Sequence, residues 1–578
     1  MRGYNPDMRY RLLALLALAG MAALAQRQAL EAWAFSVTGE EEPAAQARAL
    51  WNIAVGALRP PLDLRPETPI QHNGVHPFGI NTFLQQEVEP AKRERQVQLI
   101  AAAGFHWLRQ EFPWADIEIS GKGDFEDCRN GPCVSAWDKY DQIVALAEQH
   151  GLELLVRLSS PPAWSRADGD ARGAFAPPDD PADFADFAAA VAERYRGRLR
   201  YFQVWNEPNI YPEWGDQPAD PEGYARLLCA AYARLKAAAP EAVVVSAPLA
   251  PTNPLGLVNP ATNNAAELND IVYLQRQYAA GAGRCFDVLS VQGYGLGSGP
   301  TDRRQRPLLF NYGRNLFIRD LMVRNDDAHK AIWIAEMNWN AAPAGVPTIF
   351  GRVTDEQQAR YAALAYQRAQ SEWPWVGANM FWFFKRASDA EKDQAWYYFR
   401  MADPDFTLRP VYFAVKDYIA GARLMYPGWF QEDHWAVDWD GWRTTTDPRA
   451  TFGVQRTADR PGAVARLTFS GTDLFLVVTR GPAGGRLSVR VDGGPARSFD
   501  LRAAEVEPGT RLHLTRGLAD GRHSVEITAE TGPEWDVSVD GFVVRRAPGR
   551  AGWLAAGMLA ALAVAWLSLR RRTTNDGR

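Results

Sequence analysis

Cysteine is scarce in this chain, with four residues in 578, and no second cluster of Cys and His at ligand spacing accompanies them, so no zinc site is expected. Long runs of one charge are missing as well. The 63 Lys and Arg and 68 Asp and Glu are spread through the sequence and leave a formal net charge of only −5, which offers no basic patch to a nucleic acid. An open doubly wound sheet would want a glycine-rich phosphate loop after an early strand, and none is present. Internal repeats and low-complexity tracts are also absent. No motif asks for a cofactor or a resident metal. Aromatic side chains, by contrast, are plentiful. The 21 Trp residues offer flat apolar faces with a polar edge, which suit a core and also suit stacking on sugar rings.

Two uncharged runs mark the ends. Arg2, Arg9 and Arg11 precede residues 12–25, and Ala23-Leu24-Ala25 offers a small-residue cleavage site before Gln26. This reads as a secretory signal over 1–25 or, uncleaved, as a signal anchor, although 14 apolar residues are short for a bilayer. Residues 551–569 carry no charge and are followed by Arg570-Arg571-Arg572, which predicts a transmembrane helix with 570–578 as a cytoplasmic tail. Together the two ends place the chain at the cell membrane with the intervening residues outside the cytoplasm. An oxidising compartment suits a disulfide between Cys128 and Cys133, which bracket the turn Arg129-Asn130-Gly131-Pro132. A second bridge from Cys229 to Cys285 is left open.

At this length two or more domains are expected. Residues 26–63 hold a weakly amphipathic stretch ending in Arg59-Pro60-Pro61 and read as a spacer or an added helix. From 64 to 426 strand-like apolar runs alternate with helix-like periodic ones eight times over, the strands falling at 77–83, 106–112, 153–159, 201–207, 242–248, 287–294, 331–337 and 377–384. Eight such units in series predict an α/β fold, a closed (β/α)8 TIM barrel. Residues 427–547 change to short alternating strands with Gly and Asp turns, an antiparallel β-sandwich of jelly-roll-like pattern.

Two of the barrel strands end in a glutamate. Val204-Trp205-Asn206-Glu207-Pro208 closes the fourth and Ile332-Trp333-Ile334-Ala335-Glu336-Met337-Asn338 the seventh. A parallel barrel presents the carboxyl ends of its strands at one face, where catalytic groups gather. Cleaving a glycosidic bond needs one carboxylic acid to protonate the leaving oxygen and one carboxylate to attack the ring carbon. Glu207 and Glu336 are the candidates for these roles. An attacking carboxylate must stay ionised, and a fixed guanidinium favours that form. Arg109, in the second strand, is placed to supply it, or else pairs with Glu111 as a barrel salt bridge.

The Trp205-Asn206-Glu207-Pro208 motif, the later strand-end Glu336 and the aromatic strand around Trp382 resemble clan A glycoside hydrolases over about residues 75–425. Family 39 is the most similar and the family 5 cellulase-like enzymes come second. The resemblance implies that Glu207 is the acid/base, Glu336 the nucleophile of a retaining reaction, and Asn206 a ligand to the hydroxyl beside the reacting carbon. It also implies that Tyr294 hydrogen-bonds the nucleophile, while Gln292 stands where many relatives carry His. Trp382 is read as a sugar platform, and Trp164 and Trp339 as further stacking candidates. The C-terminal sandwich resembles modules attached to carbohydrate-active enzymes. The expected partner is an oligo- or polysaccharide. A catalytically silent glycan-binding surface protein, or a transglycosylase on the same barrel, are the alternatives.

Overall fold

The computed structural model describes residues 27–253, 267–530 and 536–547. Two compact units divide the chain. One runs to Ala422 without residues 66–69, and the other takes those four residues and everything from Arg423 onward.

Eight parallel strands form the first unit: β1 (Phe78–Thr82), β2 (Trp107–Pro113), β3 (Glu153–Ser159), β4 (Tyr201–Val204), β5 (Val243–Val245), β6 (Leu289–Gln292), β7 (Ile332–Met337) and β8 (Val376–Phe381). Neighbours in sequence pair side by side from β1 to β5 and from β6 to β8, and β8 pairs with β1. A parallel bridge between Val245 and Val288 closes the ring between the short β5 and β6. Asp287 helps there, because its Oδ2 accepts from the Val244 N–H at 2.8 Å. The expected eight-unit barrel is therefore present. Its strands are covered on both faces, and so β1, β4, β6 and β7 are buried at every position.

Each strand is followed by a helix, and several of the helix starts are written locally. Among them α5 (Pro181–Arg194) and α6 (Pro221–Ala238) begin with Pro at the first position, and Asp180 and Asp220 cap them through the N–H groups of Ala182 and Gly223. Helix α9 (Asp355–Glu372) opens with a reciprocal capping box between Thr354 and Gln357. The amino end of the barrel is plugged by rings of Trp107, Tyr201 and Trp333, 4.8 to 5.3 Å apart. Gly79 must be glycine beside this plug, since a Cβ there would lie 1.9 Å from Met380 Sδ and 2.9 Å from Trp107 Cβ.

Ahead of the barrel come residues 27–63, read above as part of a spacer or an added helix. They contain α1 (Arg27–Thr38) and α2 (Pro43–Gly56), tied to the barrel unit by Arg304 Nη2 donating to Glu40 Oε1 at 2.5 Å and by the Gly299 N–H donating to Gly39 O at 2.7 Å. The second unit is an antiparallel sandwich of a six-stranded and a five-stranded sheet, with Phe469, Leu476, Val489, Ile527 and Phe542 in its core. Both disulfides, Cys128–Cys133 and Cys229–Cys285, are formed. The signal or anchor segment 1–25 and the membrane segment 551–569 lie outside the described residues. Among the described residues no helix is long and apolar enough to cross a membrane.

Candidate active site

Strand alternation sets the first layer of the site. On β2 the positions two and four residues after the plug residue Trp107 are Arg109 and Glu111, and on β4 the position two after Tyr201 is Gln203. Arg109 is almost fully buried and spends its guanidinium on four acceptors: Gln203 Oε1 at 2.8 Å, Asn81 Oδ1 at 2.6 Å, Glu336 Oε1 at 2.8 Å and Asn206 Oδ1 at 2.8 Å. One cation thus joins strands β1, β2, β4 and β7. Glu111 is not its partner. That carboxylate pairs instead with Arg157 of β3 at 2.6 Å and accepts from the Ser159 and Ser160 hydroxyls at 2.8 Å. Burial would raise its pKa, but Arg157 and the two hydroxyls carry it below the usual value.

Glu336 reaches the barrel interior through an irregularity. Trp333 faces inward with the plug, so strict alternation would turn Glu336 outward. The pairing of β7 with β6 runs from Val291–Ile334 to Gln292–Glu336, and that with β8 from Asn379–Ile334 to Phe381–Met337. On both sides β7 carries one extra residue. This bulge resets the alternation and aims the carboxylate into the mouth, a use of bulges common beside active sites. There Oε2 accepts from the Tyr294 hydroxyl at 2.6 Å. The phenol stays protonated because burial, then the charges of Glu336 and Glu207, push its pKa well above the ordinary 10. A guanidinium and a phenol both donating to one carboxylate are suited to its ionised form.

Glu207 sits in a different setting. The chain beyond β4 turns sharply, with Trp205 at φ 73° and Glu207 at φ 40°, left-handed values that bulky residues avoid unless the surroundings enforce them. Here the Trp205 N–H donates to Leu158 O at 2.8 Å and the Glu207 N–H to Pro248 O at 3.0 Å. The side chain is half-buried and accepts from Gln292 Nε2, at 2.6 Å from Oε1. Burial, followed by the charges of Glu336 and Glu213, raises its pKa to about 8. The charge of Glu336 is thus one of the causes that keep the proton on Glu207. Glu213 is a third carboxyl at the site. Burial is the main cause that lifts it to about 7, with Arg157 opposing, and it shares a hydrogen bond with Asn206.

The aromatic candidates separate. Trp382 follows β8, its N–H donating to Met337 O at 3.1 Å, and its half-buried ring stands edge-on to Phe83 at 5.6 Å. Phe83 and Phe383 also lie under the Arg386 guanidinium, at 4.1 and 4.8 Å. Trp164 is half-buried, donates from Nε1 to Glu118 O at 2.9 Å and packs edge-on against Trp114. Trp339 must be removed from the site. It is 0% exposed, donates to Ser298 O at 2.7 Å and is walled in by Tyr312 and Tyr361, so it packs the barrel and has no face to offer a sugar. Asn81, Gln203, Arg157 and Glu213 are the members of the site that sequence reading missed. The inward positions of Asn81, Arg157 and Gln203 were available from strand alternation, whereas Glu213 lies in a loop and gave no periodic signal.

Among the described residues the one grouping with metal-ligand chemistry is Glu126 with Cys128 and Cys133, whose two sulfurs are joined in the disulfide. No protein-family model and no curated protein matches the chain. Solved structures similar to it include a family 39 glycoside hydrolase from the gut symbiont Bacteroides cellulosilyticus WH2, at 16% identity over 80% of this chain and 82% of that one with a TM-score of 0.45. A second is the family 39 enzyme from Xanthomonas axonopodis pv. citri, at 14% identity, 82% and 97% coverage and a TM-score of 0.42. A third is the family 39 β-xylosidase from Caulobacter crescentus, at 14%, 81% and 99%, and 0.41. The class of protein defined by fold is a (β/α)8 barrel with an appended β-sandwich, and the chemistry of its site stands on the groups just described.

Proposed function

We propose that the protein is a retaining glycoside hydrolase that cleaves β-linked glycans outside the cytoplasm, attached to a membrane through residues 551–569. The observation that carries this reading is the asymmetry of two carboxyls at one barrel mouth. Glu336 is held by a guanidinium and a phenol, while Glu207 keeps its proton up to about pH 8. That division is the one a double displacement requires. Glu336 attacks the ring carbon as Glu207 passes its proton to the departing oxygen, so the glycosidic bond breaks and a glycosyl ester forms. Glu207, now ionised, takes a proton from water, the hydroxide oxygen bonds to the same carbon, and Glu336 leaves as the carboxylate. Asn206, locked between Arg109 and Glu213, is oriented to meet the hydroxyl beside the reacting carbon. Gln292, whose Oε1 is buried and unpartnered, adds an acceptor, and Trp382 is the platform.

The test is turnover of a panel of aryl β-glycosides and extracted polysaccharides by Glu336→Gln and Glu207→Gln, with near-UV circular dichroism as the check on folding. Each variant is expected to lose on the order of 10³-fold or more in kcat/KM with its fold intact. Wild-type turnover by both variants would sink the reading.

A further inference from the structure

Helices α1 and α2 turn Ala34, Phe35 and Ala49 inward but also carry large apolar side chains on their outward faces. The exposed large side chains include Leu30 and Trp33 on α1, then Trp51 and Val55 on α2 with Leu58 one turn beyond it. Trp33 is 55% exposed, Trp51 71% and Leu58 86%. The spacings of three, four and three residues put each set on one helix face. A surface helix ordinarily turns such a stripe to the core and its charges to water. Here, among the described side chains of both helices, the exposed positions carry a single charge, Arg48. In the connection between the two helices, Glu40 pairs with Arg304 and Glu41 with Arg360 of the barrel unit. So much exposed apolar surface in one stretch marks a surface that is covered in use.

What covers it is indicated by the chain itself. The uncharged run of residues 12–25 ends two positions before α1. Its 14 residues fall short of the roughly 20 that span a bilayer, so on its own it is a weak attachment. Tryptophan prefers the membrane interface, where its ring is apolar and its N–H wet, and α1 and α2 each offer one there.

We propose that residues 12–25 are retained and that the outward faces of α1 and α2 lie in the headgroup layer of the same bilayer, so that the barrel unit rests on the membrane through this helical hairpin. The proposal extends the membrane-attached reading above and is independent of the glycosidase chemistry. Trp33 and Trp51 are the contact residues, with Leu30, Val55 and Leu58 beside them. A charged lipid is not needed, since the face is almost neutral.

The test uses the full chain reconstituted in phosphatidylethanolamine and phosphatidylglycerol vesicles, with and without lipids brominated high on the acyl chain. The wild-type emission minus that of the Trp33→Phe/Trp51→Phe variant isolates the two rings. That difference signal is expected to fall roughly twofold in brominated vesicles, and the intact mass is expected to include residues before Gln26. An unquenched difference signal overturns the proposal, as does an N-terminus at Gln26. Cross-links joining the α1 and α2 faces of two copies would overturn it in favour of a dimer. Glycan turnover in the same vesicles reads the active site separately, so a failure of one account is distinguishable from a failure of the other.

Discussion

At the scale of single residues, the account turns on where protons sit. Glu207 holds its proton to about pH 8, so kcat/KM on an aryl β-glycoside is expected to fall as pH rises through about 8. Gln292 donates to the ionised form of Glu207 and lowers its pKa, so Gln292→Leu should move that basic limb upward. Glu213 acts in the opposite sense, and Glu213→Gln should move it downward. Both shifts are read from pH profiles, which a merely structural defect would leave in place. The same proton has a stability consequence. The folded-state pKa of Glu207 lies above its ordinary 4.5, so its contribution to stability is fully present below pH 4.5 and is lost as pH rises through about 8. Glu207→Gln should therefore melt with the wild type at pH 4.5 and above it at pH 8.5. The difference should be on the order of 1–3 kcal/mol, reduced by the partial access of water to this side chain. Arg109→Met should be the most damaging substitution. It leaves the acceptors on Asn81, Gln203, Asn206 and Glu336 without their common donor, a change that costs about 3–5 kcal/mol for a buried ion pair.

At the scale of elements, the strands and helices of the barrel were legible because their periods are clean and several helix starts are marked by Asp, Thr or Pro. Glu207 and Glu336 were legible as irregular ends of apolar runs. The bulge in β7 was not, because an extra residue leaves no mark in a six-residue run whose every position is buried. Counting by twos would have pointed Glu336 out of the barrel. Trp339 misled for the converse reason, since one residue type serves both core and platform and sequence position alone does not choose. Short sandwich strands such as Trp442–Thr446 and Arg497–Asp500 are hard to delimit in the sequence, because a four- or five-residue edge carries little pattern. The two disulfides differ in what they constrain. Cys229–Cys285 spans 56 residues and ties α6 to the approach to β6, whereas Cys128–Cys133 spans 5. In the chain-entropy account the first contributes about 4 kcal/mol and the second about half of that. Thermal melts of Cys229→Ser/Cys285→Ser should show the larger fall in Tm, and Cys128→Ser/Cys133→Ser the smaller.

At the scale of the molecule, the sandwich has its own core and none of the groups of the proposed mechanism. Phe469→Ala should cost that unit about 3–5 kcal/mol and lower its thermal transition, while kcat measured below that transition stays at the wild-type value. The pairing of Cys128 with Cys133 was legible in the sequence, from the turn residues that the two bracket. The outward face of α1 and α2 was not, because an amphipathic stripe does not say which way it points. The central claim, that Glu336 attacks sugar carbon while Glu207 supplies the proton, is tested most directly by trapping. The full chain is incubated with a set of 2-deoxy-2-fluoro β-glycosyl fluorides of differing configuration, and the labelled residue is found by peptide mass spectrometry. The account predicts one added glycosyl group, carried as an ester on Glu336 and absent from Glu336→Gln. A label on any other residue, or a chain that hydrolyses glycans and takes no label from any of the set, would contradict it.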